Sequence, residues 1–68
     1  MSKLETAFQK AEAGWHTVHS IMVPYLAEVG IGGHDAHLLL EKCLKLAKEK
    51  IVKVRIGFAG RYEFKLVQ

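Results

Sequence analysis

The four histidines of this 68-residue chain fall into two pairs of matched spacing: WHTVH gives His16 and His19, and GHDAH gives His34 and His37 around Asp35. Residues three apart share a helix face, so each pair offers two imidazoles to a zinc-like ion. A four-ligand centre requires the two segments to meet, and no cysteine pair or HExxH supplies a closed set. The histidines are accordingly read as capping and packing residues, with no metal and no cofactor. IGFAG carries two glycines without the spacing that cradles a phosphate. No catalytic constellation stands out, and the chain is read as a binding protein rather than an enzyme.

Charge is more informative. Net charge is +3, but residues 1–33 sum to −1 and residues 34–68 to +4. Lys42, Lys45, Lys48, Lys53, Arg55, Arg61 and Lys65 make the C-terminal half a positive surface, suited to phosphates or to an acidic protein. Lysine-rich outer faces also serve solubility, and on an edge strand they discourage unwanted pairing. Arg55 and Arg61 are less readily explained that way, because a guanidinium suits bidentate phosphate contact. Tyr25, Phe58 and Tyr62 are the aromatic residues that can stack on bases. Strand alternation instead points Phe58 and Tyr62 inward.

These groups must be positioned by a single domain, 1–68, since division would leave neither half an adequate core. Half of the residues are hydrophobic, too many for a disordered chain. A single core of this size contributes roughly 3–5 kcal/mol. Leu4, Phe8, Ala11, Trp15, Val18 and Met22 recur every three or four residues, and this continuity of phase favours one helix over about residues 3–22 with Gly14 inside it, the alternative being a break at Gly14 into two shorter helices. Pro24 is expected to open a second helix, PYLAEV, and Gly30 to stop it. Asp35 or His34 caps a third helix whose inner face is Ala36, Leu39, Leu40, Cys43, Ala47 and Ile51 and which ends near Lys50. Cys43 on that face behaves as a small hydrophobe, in keeping with a reducing compartment.

The closing segment KIVKVRIGFAGRYEFKLVQ alternates apolar with polar on both sides of GFAG. Val52, Val54, Ile56 and Phe58, with Tyr62, Phe64 and Leu66, are expected to face inward as two antiparallel strands. The fold class is thus α+β, three helices followed by a C-terminal hairpin.

That order, a short helix, LAEVGI with a glycine turn, a longer helix, then KIVKVR and GRYEFKL, resembles the winged helix-turn-helix modules of transcription regulators over about residues 17–67. In that family the helix after the turn enters the major groove, the ribbon grips flanking backbone, and dimers set the half-site spacing. The resemblance implies that Gly33, His34, His37, Leu38, Glu41 and Lys45 face the groove, with Lys42 beside them, and that Lys53, Arg55, Arg61 and Lys65 meet phosphates. Base readout favours Arg, Asn, Gln, Ser or Thr near the start of such a helix, whereas this one opens with GGHDAHLLL.

The resulting expectation is a cytoplasmic DNA-binding regulator or accessory protein, homodimeric through the first helix, with neither a signal peptide nor a membrane span. The alternative is a small inhibitor or adaptor that docks on an acidic protein partner.

Overall fold

A computed structural model of the chain describes residues 2–30, 32 and 35–67. Its element order is α1 (Lys3–Lys10), β1 (His16–Thr17), α2 (Val18–Val29), α3 (Ala36–Lys48), β2 (Val52–Ile56) and β3 (Tyr62–Leu66), with a 3-10 turn at Phe58–Gly60. The α+β class and three helices agree with the sequence reading. The hairpin does not stand alone: β1 pairs antiparallel with β3, so the sheet has three strands in the order β1-β3-β2.

The predicted first helix is split. Ser2 caps α1 by accepting from the Glu5 amide at 3.1 Å, but the helix stops at Lys10. Gly14 has φ 124°, a left-handed conformation that no α-helix accommodates. Leu4 and Phe8 are buried on α1, whereas Val18 and Met22 pack from α2. The stripe is real as a set of inward residues but belongs to two elements. The face assigned to a dimer contact is therefore used inside the protomer.

Pro24 lies within α2 rather than at its start. Thr17 fixes the start by accepting from the Ser20 amide at 3.1 Å. Ile21 and Tyr25, four apart and both buried, anchor one face across the proline. Their burial, on the order of 1.5–3 kcal/mol each, offsets the helix hydrogen bond that proline cannot make.

Asp35 caps α3, its Oδ1 accepting from Leu38 N at 2.8 Å; the rival cap His34 lies outside the described residues. The helix closes in a Schellman arrangement: Ile51 N donates to Leu46 O at 2.9 Å and Lys50 N to Ala47 O at 3.0 Å. Leu39, Cys43 and Leu46 of α3 meet Leu4, Ala7, Phe8, Ile21, Tyr25, Val52 and Phe64 in one core. Among the described residues no helix is long and apolar enough to cross a membrane.

Only the base of the ribbon reaches that core. Val52 and Phe64 are buried, but Val54 is 42% exposed, Ile56 68% and Phe58 90%, against the expectation that all three face inward. The alternation is correct, since Val54 lies opposite Phe64 and Ile56 opposite Tyr62. The strands simply outrun the helices that would cover them.

Candidate nucleic-acid interface

The outer side of α3 carries His37, Leu38, Glu41, Lys42, Lys45 and Lys48, all exposed, while the opposite side is buried. His37 and Glu41 approach within 3.5 Å one turn apart. Lys42 leans towards α2, its Nζ donating to Tyr25 Oη at 2.8 Å and lying 5.4 Å from the ring centre. Lys42 and Lys45 border a concavity floored by Leu4, Val29 and Leu46, with Lys3 on its rim. His34 and Gly33 lie outside the described residues.

On the ribbon, Lys53, Arg55, Glu63 and Lys65 share the face opposite Phe64, with Lys53 directly across from Lys65 and Arg55 across from Glu63. Arg55 Nε donates to Glu63 Oε1 at 2.7 Å. Its guanidinium carbon lies 4.1 Å from the centre of the Trp15 ring, and Lys65 Nζ lies 6.0 Å from it. Sequence periodicity assigns Trp15 to the core, yet it is only half-buried and serves as a π surface for two cations. Gly14, immediately before it, was the signal that the helical phase ends there.

Arg61 belongs to a different neighbourhood. It lines a shallow concavity with Thr17, Val18, His19, Leu40 and Tyr62, on the side of the sheet facing α2 and α3. The structure thus sets Arg55 and Lys65 over Trp15, with Lys53 across the strands from Lys65, and places Lys42 and Lys45 on α3 beside the Leu4–Val29–Leu46 concavity. Arg61 stands at the ribbon's turn. One carboxylate, Glu63, is placed among the three ribbon cations, so that cluster stays net positive.

His16 is occupied structurally. Its Nε2 faces Glu12 O at 2.6 Å and its Nδ1 faces Ser20 Oγ at 2.8 Å. Because a carbonyl only accepts, Nε2 carries the proton and Nδ1 accepts from the hydroxyl when the ring is neutral. Among the described residues no three His, Cys, Asp or Glu side chains could hold a metal ion together. Cys43 is fully buried, and burial pushes its thiol up to about 12 from an ordinary value near 9.0.

Comparisons of the chain with protein-family models, with curated proteins and with solved structures find no match. The functional reading therefore rests on the chain's own geometry and charge.

Proposed function

We propose that the chain is a small DNA-binding module of winged helix-turn-helix type, acting as a regulator or accessory factor. In this reading α3 enters the major groove and the β2–β3 ribbon follows the phosphate backbone. The observation that carries it is the free outer side of α3: His37, Glu41 and Lys45 lie along one uncovered stripe of a capped helix whose other side is fixed by the core. The ribbon's cations supply the phosphate contacts, with Trp15 holding the Arg55 guanidinium in place. His37 and the α3 lysines offer few base-reading groups, so affinity rests mainly on counterion release.

Titration of labelled duplex at rising salt tests this. Neutralising three to five phosphates predicts a slope of log K against log salt of about −3 to −4.5. Arg61→Ala and a Lys53→Ala/Lys65→Ala double variant each weaken binding and flatten the slope. A protein that binds no duplex at low ionic strength excludes this function.

A second reading, a protein-binding module that docks on an acidic partner, is favoured by one observation. The distal ribbon exposes Ile56 and Phe58, which a phosphate backbone cannot use.

A further inference from the structure

Among the described residues, strand β2 is an edge of the sheet, paired with β3 alone. Two hydrogen bonds fix which of its backbone groups are used: Gly57 N donates to Arg61 O at 2.7 Å, and Val67 N donates to Ile51 O at 3.0 Å. With the register Val52↔Leu66 through Ile56↔Tyr62, residues 51, 53, 55 and 57 exchange bonds with β3. The amides and carbonyls of Val54 and Ile56 consequently point to the open side. Their side chains lie on the exposed apolar face, while Lys53 and Arg55 project from the opposite one.

We propose that this edge accepts an extended acidic segment of a partner protein by strand addition, with apolar side chains alternating with carboxylates. The inference rests on the protein-partner reading and supplies its mode of contact. Backbone bonding to Val54 and Ile56 gives the affinity. The partner's apolar positions cover Val54 and Ile56, and its alternate carboxylates face Lys53 and Arg55.

Charge selects this occupant over a second copy of the chain. Antiparallel self-pairing centred on Val54 sets Lys53 against Arg55 of the copy, and centring on Arg55 sets Arg55 against its own image. Like charges directly opposite are destabilising. An acidic strand pairs favourably with Lys53 and brings a second carboxylate to Arg55, whose Nε is already bonded to Glu63. The same lysine and arginine that discourage self-association at an edge thus admit a segment of opposite charge.

The test uses the full chain labelled with ¹⁵N and a soluble peptide alternating valine and glutamate, with a valine–lysine peptide as its counterpart. At saturation with the acidic peptide, hydrogen exchange at Val54 and Ile56 amides slows by about tenfold or more, because both become bonded. The lysine peptide leaves them unchanged. Val54→Pro removes an outward N–H without touching the ladder to β3, and it weakens peptide binding while the remaining amide protection is retained. Binding of the acidic peptide without slowed exchange at Val54 and Ile56 overturns strand addition but leaves an acidic partner in place. Failure of any acidic peptide to bind overturns both. Slowing that grows with protein concentration alone assigns the edge to a second copy and also overturns the proposal.

Discussion

The Glu63 carboxyl occupies the space that a Cβ on Gly57 would fill, and from there its Oε1 accepts from Arg55 Nε at 2.7 Å. Glycine at 57 is therefore what allows a carboxylate to sit on the ribbon's basic face. Gly57→Ala pushes that side chain aside and releases Arg55 from its internal partner. Under the DNA-binding proposal, the slope of log K against log salt steepens by up to about 1, as Arg55 meets phosphate without sharing its charge with Glu63. Glu63→Gln is expected to give the same increment without altering the backbone.

Lys53 and Lys65 face each other directly across β2 and β3. Like charges directly opposite cost stability. Lys53→Glu turns the pair attractive and raises stability by about 0.2–1 kcal/mol. Under the DNA-binding proposal the same variant lowers duplex affinity at low salt. Chemical denaturation and a binding titration on one sample check the opposed signs.

Lys50 has φ 64° at the position just past the end of α3, where glycine is the usual residue. Lys50→Gly relieves left-handed strain of roughly 1–2 kcal/mol, less the roughly 0.5–1 kcal/mol by which glycine frees the unfolded chain. A net gain of a few tenths to about 1 kcal/mol is expected in urea unfolding.

Burial pushes the Cys43 thiol up from an ordinary value near 9.0 to about 12. A raised folded value means that the unfolded chain loses this proton first, so the stabilising contribution is complete below pH 9 and is lost as pH rises from 9 towards 12. Cys43→Ala removes that component of the alkaline decline. Alkylation by iodoacetamide should be slow until the protein is unfolded.

Much of the fold is legible in the residues because short-range rules act locally. Asp35 caps α3, and Leu39 and Cys43 fall on its inner face at helical spacing. The register of the ribbon follows from the glycines that frame its turn. The split between α1 and α2 is hidden in the sequence because Leu4 through Met22 keep a helical period by coincidence across Gly14, and periodicity carries no information about φ. The two-residue β1 is too short to show alternation, and its pairing with β3 depends on distant residues. For the site, charge placement is readable, but Trp15 beneath Arg55 and Glu63 beside it arise from tertiary approach. Exposure of Ile56 and Phe58 likewise depends on how far the helices extend over the sheet.

Thr17 belongs to two elements at once: it pairs with Glu63 in the sheet and its hydroxyl caps α2. No linker separates ribbon from helices at that point, so a tilt of β3 drags the start of α2 with it. The angle between the two candidate contact surfaces is consequently set when the chain folds, rather than searched for at each encounter. Association then forgoes the entropy loss that a hinged pair of arms would suffer on docking.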